Sequence, residues 1–317
     1  MITTIFNRSQ GLKRSFRLLR AIPTCGVALT VFLGCSDTTG PTRDPRNTFT
    51  DWQHIQGKVC GVWTKDHNPH VITGPVTVED GDSLVVKEGV QIVAGYSIEL
   101  VARTGGGYLK FQGVNGDPIR WVLAGSALGV LYTYGGHATL DYVVMEGNQK
   151  VIEIGGGAKI TNSTFAESGV VFITNETGLD IAQKDSVIVR SCIFSGFRSW
   201  DPYFRNSVWS NQDFVTNDGY LDSSLTDIRN NLFYGPIGDS LPAGSSIVNV
   251  RYKGASGIRT VTGLQWPDNG NVYGNPLWTS YSYIGPSPTG ISSNDYHLQP
   301  GSPALGTGAD GGNIGAY

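Results

Sequence analysis

A degenerate repeat in the middle of the chain constrains the fold more than any other feature. Four segments align without gaps, and they are LDYVVMEGN (140–148), ITNSTFAES (160–168), VRSCIFSGF (189–197) and IRNNLFYGP (228–236). Each has an apolar residue, two mostly polar positions, a residue of a buried type, a spacer, and then an aromatic residue or Met. The segments start 20, 29 and 39 residues apart. These spacings fit one plain solenoid coil and two coils that carry inserted loops.

The alignment predicts which side chains face the interior. The fourth and sixth positions of the repeat hold Val143, Ser163, Cys192 and Asn231, and Met145, Phe165, Phe194 and Phe233. We expect both sets to point inward, so that like residues stack between successive coils. Chance similarity between strands of a β-sandwich is the alternative interpretation.

The rest of the chain favours an all-β fold built from very short strands. From Val71 onward, apolar pieces such as SLVV (83–86), VQIV (90–93) and YLKF (108–111) follow one another between glycines, which number 43 in 317 residues. The two-residue Asn-Gly and Asp-Gly turns typical of hairpins are scarce. We therefore expect the strands to form the sides of a coil rather than hairpins.

The first 34 residues have the pattern of an export signal. They contain Arg8, Lys13, Arg14, Arg17 and Arg20 and no acidic residue, and an apolar stretch follows at 21–34. That stretch is too short to span a bilayer, so it predicts a secretory signal rather than a transmembrane helix.

The end of this signal, FLGC (32–35), resembles the lipobox of bacterial lipoproteins. The resemblance implies cleavage before Cys35 and acylation of its sulfur, although Phe32 and Leu33 depart from the usual residues. The polar segment 35–47 would then be a tether. In the lipoproteins that the chain resembles, an Asp directly after the acylated cysteine favours retention in the inner membrane. This chain has Ser36 there and Asp37 one position later, so the resemblance implies a lipid anchor in the outer membrane or at the cell surface. The alternative is an ordinary secretory signal that leaves Cys35 as a free thiol.

Charge excludes one class of partner. Without the five basic residues of the leader, 18 basic and 26 acidic residues remain, a net charge of −8. No basic stripe is visible along the sequence, so we expect no nucleic-acid partner.

The cysteines leave one pairing to consider. Cys60 and Cys192 could form a disulfide in an oxidising compartment. Because Cys192 falls at an inward position of the repeat, a buried unpaired thiol is the interpretation that we prefer for it.

Two further segments carry a family resemblance. ITGPVTVEDGDSLVVKEGVQIVAG (72–95) resembles the first coil of right-handed parallel β-helix proteins of the pectate-lyase-like superfamily, and the end of the chain (296–317) resembles their closing segment. The resemblance implies a single-stranded right-handed parallel β-helix over 70–317. Residues 48–69, including Trp52, Trp63 and Cys60, would cap its first coil.

No motif of high specificity for catalysis occurs, so candidate sites come from one insertion, 197–224. It is rich in aromatic residues, and its candidate ligand-binding residues are Trp200, Tyr203, Trp209 and Tyr220. Aromatic faces bind the apolar faces of sugar rings, while Arg and Asp hydrogen-bond to hydroxyl and carboxylate groups. The insertion therefore predicts polysaccharide binding.

A polysaccharide lyase of the pectate type is the enzymatic alternative. Such a reaction needs a cation to neutralise a uronic-acid carboxylate and a base to remove the α-proton. Arg198 and Arg205 are the candidate catalytic residues, and Asp213, Asp218 and Asp222 are candidate calcium ligands. The superfamily's catalytic signature is missing, so enzymatic activity stays open. The remaining alternatives are a structural or adhesive surface protein, and an insertion whose aromatic residues simply form a satellite core.

The histidines show no metal-binding spacing. His67 and His70 lie near Asp66, and we expect a surface loop there.

Overall fold

The computed structural model of the protein describes residues 47, 51–101, 107–123, 131–134, 136–149, 152–154, 156–168, 171–173, 186–195, 215–217, 221–222, 226–234, 248–254, 257–263, 270–282 and 291–317. All of these residues belong to one unit of the chain, Gly34–Tyr317. The described residues are almost entirely strand and turn, with one short 3₁₀ helix at Lys65–His67.

The strands of the described residues are, in chain order, β1 Ile55–Lys58, β2 Gly61–Trp63, β3 His70–Val78, β4 Ser83–Lys87, β5 Gln91–Ala94, β6 Ile98–Val101, β7 Tyr108–Gln112, β8 Ile119–Leu123, β9 Leu131–Tyr134, β10 His137–Asp141, β11 Val143–Gln149, β12 Ile152–Ile154, β13 Gly157–Thr161, β14 Thr164–Ser168, β15 Val171–Ile173, β16 Val187–Arg190, β17 Ile193–Ser195, β18 Val215–Asn217, β19 Leu221–Asp222, β20 Thr226–Arg229, β21 Leu232–Tyr234, β22 Val248–Gly254, β23 Gly257–Gly263, β24 Val272–Tyr273, β25 Trp278–Ser280 and β26 Asp295–Leu298.

Two long sheets contain nearly all of these strands. The seven-stranded sheet has the order β2-β4-β7-β10-β13-β16-β20, and every neighbouring pair is parallel. The seventeen-stranded sheet contains two parallel ladders, β5-β8-β11-β14-β17-β21-β24 and β6-β9-β12-β15-β18-β22, and β3 pairs with the first strand of both. The expectation of an all-β fold with short parallel strands is confirmed, and the strands form two long sheets.

The chain visits these ladders in a fixed order. From β4 to β18, each strand in the seven-stranded sheet is followed by one strand in each ladder of the larger sheet. One hydrophobic core contains side chains from both sheets, for example Leu84 and Phe111 from the smaller and Ile92 and Trp121 from the larger. The two sheets therefore share a single interior.

The register of the strands confirms the repeat. Leu140 pairs with Ile160, Ile160 with Val189, and Val189 with Ile228, as in the gapless alignment. The residues that we predicted to face the interior are all fully buried, namely Val143, Ser163, Cys192, Asn231, Met145, Phe165, Phe194 and Phe233. The stacking prediction is confirmed as well.

Three phenylalanines form the centre of this stack. The Phe165 and Phe194 rings lie 5.0 Å apart and the Phe194 and Phe233 rings 5.3 Å apart, with interplanar angles of 8° and 11°. Parallel, in-register strands place equivalent side chains one strand spacing apart, so planar rings stack face to face.

One backbone geometry joins the seven-stranded sheet to the next strand in the four coils of the repeat. One residue there has a left-handed backbone, with φ of 49° at Tyr142, 49° at Asn162, 53° at Ser191 and 51° at Asn230. Non-glycine residues adopt this conformation rarely, and Asn does so more readily than most. This residue turns the chain sharply, and the side chain that follows it points inward.

The inward side chains at this corner satisfy backbone groups of neighbouring coils. The Asn231 carboxamide oxygen accepts from the Cys192 amide at 3.0 Å, and its nitrogen donates to the Val189 carbonyl at 2.9 Å. Asn271 accepts in turn from the Asn231 amide at 3.0 Å. A polar group is costly to bury without a hydrogen bond, so these bonds explain how Asn is accommodated in this core.

The C-terminal residues 276–282 and 291–317, here called the C-terminal layer, cover the outer side of the larger sheet. A second apolar cluster joins Val144, Ala166, Ile193 and Leu232 of the sheet to Trp278, Tyr296, Ala304, Ile314 and Ala316 of the layer. Gly315 has φ of 103°, and a Cβ there would lie 2.7 Å from the Ile193 side chain. Only glycine allows this close approach.

One feature differs from expectation. β22 and β23 form an antiparallel hairpin of seven residue pairs, although hairpins were not expected. Within the residues assigned to a cap, 48–69, β1 and β2 pair with β3 and β4. Cys192 is a free buried thiol, which is the interpretation that we preferred, and Cys60 is disulfide-bonded, so a bond between the two is excluded.

Candidate functional site

Most of the predicted site residues lie outside the described part of the chain. These are Arg198, Trp200, Tyr203, Arg205, Trp209, Asp213, Asp218 and Tyr220, and the lipidation candidate Cys35 lies outside it too. Asp222 is the exception, since it ends β19 and pairs in register with Lys253 of β22. The C-terminal part of the insertion thus returns to the larger sheet through β18 and β19.

Metal binding finds no support within the described residues. No group of three or more His, Cys, Asp or Glu side chains there is arranged to hold a metal ion. The calcium candidates Asp213 and Asp218 lie outside the described part of the chain.

A cluster of charged and polar groups lies between the larger sheet and the C-terminal layer, and we call it the Glu146 cluster. It consists of Arg120 on β8, Glu146 on β11, and Ser292, Asn294 and Tyr296 from the layer. The Glu146 carboxylate is fully buried and accepts from the Arg120 guanidinium at 2.8 Å and from the Ser292 hydroxyl at 2.6 Å. The same guanidinium donates to the Asn294 carbonyl at 3.3 Å.

Burial leaves this cluster incompletely satisfied. Glu146 Oε2 and Arg120 Nε are buried with no hydrogen-bond partner. Burial, reinforced by the nearby Glu146 charge, raises the pKa of the Tyr296 hydroxyl far above its ordinary value. Burial also raises the pKa of the Tyr317 hydroxyl. Both phenols therefore stay protonated across the physiological range.

The geometry of the Glu146 cluster suits attachment better than catalysis. A general base must reach a proton on a substrate, and the Glu146 carboxylate has no exposed surface. Its partners come from two separate parts of the chain, 26 residues upstream and 146 residues downstream. The cluster fixes the C-terminal layer to the sheet, and sequence inspection missed it because no local motif links these residues.

A second cluster of aromatic and histidine rings lies at the N-terminal end. His70 begins β3 and is fully buried, with its ring stacked on Trp63 at 5.0 Å and both of its ring nitrogens unpartnered. His67 is exposed and stacks on Trp52 at 4.5 Å. The expectation of a surface loop is therefore correct for His67 and wrong for His70.

Burial lowers the pKa of His70 to about 3, and the nearby His67 adds to this shift. A neutral imidazole enclosed by tryptophans packs as an aromatic ring. Burial removes water from around the His70 ring, and this desolvation disfavours the protonated imidazole.

Two further properties of the described residues concern the Cys192 thiol and the length of the helices. Burial raises the pKa of the Cys192 thiol to about 12, so it is not a nucleophile at neutral pH. No helix in this part of the chain is long and apolar enough to cross a membrane.

Comparison of the chain with protein-family models, with curated proteins and with solved structures gives no match.

Proposed function

We propose that the protein is a cell-envelope lipoprotein with a right-handed parallel β-helix that binds polysaccharide through the insertion 197–224. The repeated order of strands, one in the smaller sheet and then one in each ladder of the larger sheet, supports the coil. Crossovers between parallel strands are right-handed in nearly all proteins, which supports the handedness.

The observation that carries the binding proposal is the position of the insertion. It interrupts the regular coil between β17 and β20, and its last residues rejoin the larger sheet as β18 and β19. A long loop attached at both ends to a rigid scaffold is a common place for a binding site. The aromatic residues at 200, 203 and 209 would stack on sugar rings.

A glycan array with the purified protein tests this proposal. We expect binding that is lost in Trp200→Ala and Trp209→Ala variants, with a small change in melting temperature. A large loss of stability and no bound glycan would assign the insertion to a satellite core. An assay for unsaturated uronide ends on the same samples separates binding from lyase activity, and calcium addition tests the role of Asp213, Asp218 and Asp222.

The membrane anchor has its own test. An acylated Cys35 sulfur cannot join a disulfide, and cleavage before Cys35 removes Cys25 from the mature chain. The lipoprotein proposal therefore predicts a free Cys60 thiol in the mature protein, although Cys60 is disulfide-bonded in the full chain. Intact-mass analysis before and after thiol alkylation measures this, and a Cys35→Ala variant that stays in the membrane fraction would overturn the anchor.

A further inference from the structure

The outer side of the seven-stranded sheet differs from the rest of the protein in its charge. Side chains alternate along its strands, so every second residue faces outward. The outward charged residues are Lys87, Lys110, Lys159, Arg190 and Arg229, against Asp141 and Asp227. We call this surface the open face. Five cations and two anions on one face contrast with the net charge of −8 on the mature chain.

The two carboxylates of the open face already have partners. Asp227 accepts from Arg190 Nε at 2.7 Å and lies 3.3 Å from Arg229 Nε. Asp141 accepts from the Thr161 hydroxyl at 2.8 Å. Neither carboxylate is paired with a lysine, so their charges do not neutralise the lysines of this face.

Lys110 and Lys159 lack such a partner within the described residues. Both occupy one row across the strands, because Lys110 pairs with Thr139 and Thr139 with Lys159. Other surface lysines are held differently, since Lys58 contacts Glu79 at 2.6 Å and Lys65 contacts Asp117 at 2.8 Å. The two open-face lysines are therefore available for an external anion.

The separation of the two lysines follows from the geometry of the sheet. Lys110 and Lys159 are two strands apart, about 9–10 Å. In the adjacent row, Tyr108 pairs with His137, and both side chains are exposed. A phenol ring and an imidazole beside these two ammonium groups supply contacts for sugar rings and for carboxylates.

We infer that the open face binds a linear anionic polysaccharide whose chain runs across the strands, with its carboxylates on Lys110 and Lys159. This inference rests on the proposed function in taking a polysaccharide as the ligand, and it adds a second site and a charge requirement. The separate strands explain why the basic row is invisible along the sequence, since its two lysines lie 49 positions apart.

Binding of polygalacturonate by the purified full-length protein tests the inference. We expect Lys110→Ser/Lys159→Ser to weaken binding by about tenfold or more, because ionic contacts to a polyanion dominate such affinities and are screened by salt. The matched control is Lys58→Ser/Lys65→Ser, which removes the same charge from another surface and should leave the affinity within about twofold. Fully methyl-esterified polygalacturonate, which is uncharged, should not compete.

The outcomes separate this site from the insertion. Loss of binding in Trp200→Ala/Trp209→Ala with no effect of the open-face variant overturns this inference and keeps the proposed function. The reverse pattern keeps the open face and overturns the role of the insertion. Equal losses in the two lysine variants, or stronger binding to single-stranded nucleic acid or to anionic vesicles than to polygalacturonate, would overturn the inference.

Discussion

The two sheets have opposite outer faces. On the larger sheet, the outward residues Val144, Ala166, Ile193 and Leu232 are apolar and lie under the C-terminal layer. On the smaller sheet, the outward residues are mostly polar or charged, and most of them are at least partly exposed. Both sheets share the same interior, so the difference is confined to the outside.

This contrast shows that the pattern of apolar residues along a strand indicates whether the outer face of its sheet is covered. Strands buried on both sides carry consecutive apolar residues, whereas strands with one wet side alternate. Ile193 and Phe194 illustrate the first pattern on β17, where both are buried. Ile188 and Val189 illustrate the second pattern on β16, since Val189 is buried and Ile188 is not. Both outer faces therefore contain an isoleucine, but only the one on the covered face, Ile193, is buried in an apolar cluster.

The largest expected effect concerns charge on the covered face. Glu146→Ala removes the carboxylate partner of Arg120, whose side chain is only 20% exposed, and we expect a loss of about 3–5 kcal/mol in unfolding free energy. Urea denaturation measures it.

The matched change on the open face is Asp227→Ala, which also removes a carboxylate from arginine partners. Because Arg190 and Arg229 are partly solvated, we expect a loss of about 1 kcal/mol or less. Similar losses in both variants would mean that burial does not distinguish the faces. Replacing both Arg120 and Glu146 with Met should recover most of the stability that Glu146→Ala loses.

A pair of isoleucines from one coil gives the next largest effect. Ile193→Ala empties space between the sheet and the C-terminal layer and should cost about 2–4 kcal/mol. Ile188→Ala, five positions earlier on the open face, should cost about 1 kcal/mol or less, because water already contacts that side chain. Thermal denaturation of the two variants side by side sharpens the comparison, and a smaller loss for Ile193→Ala would contradict it.

The enclosed histidine adds a pH dependence that neither face has. The pKa of His70 is about 3 in the folded protein and about 6.5 when unfolded, so the unfolded state binds the extra proton below pH 6.5. Stability should therefore be fully present above pH 6.5 and fall as the pH drops toward 3, by about 2 kcal/mol at pH 5. His70→Phe should abolish this difference between pH 7 and pH 5; an unchanged pH profile in that variant would sink the assignment.

The smallest expected effect belongs to the open-face lysines. Lys110→Ser/Lys159→Ser should change unfolding free energy by no more than about 0.5 kcal/mol, because surface side chains without ion pairs contribute little to folding. Differential scanning calorimetry measures this. A large loss would show that the row has a structural role and would remove the basis for reading it as a ligand site.

The sequence was sufficient to predict the strand register and the buried positions of the repeat. Inward residues such as Phe165 and Phe194 stack on the equivalent residues of neighbouring coils. Each coil therefore needs a similar residue at the same position, and this produces a repeat that is visible in the sequence. The left-handed corner was not predicted, because Asn162 and Asn230 are typical of that conformation but Tyr142 and Ser191 are not.

The covered face and its Glu146 cluster were beyond sequence inspection for a different reason. Arg120, Glu146 and Ser292 come together only when the end of the chain folds back on the middle, and no spacing records that contact. His70 shows the same limit, since its burial depends on Trp63 and on the first strands, which were assigned to a cap.

The corner that the four coils of the repeat share has a consequence for where residues can be inserted in the chain. Coils of 20, 29 and 39 residues all pass this corner at one left-handed residue, at 142, 162, 191 and 230. Every difference in coil length is thus accommodated on the remaining sides of the coil. In these four coils, one edge has a fixed length and the other edges admit added sequence without shifting the stack. Foreign peptides intended for display in this part of the molecule therefore belong at those tolerant edges.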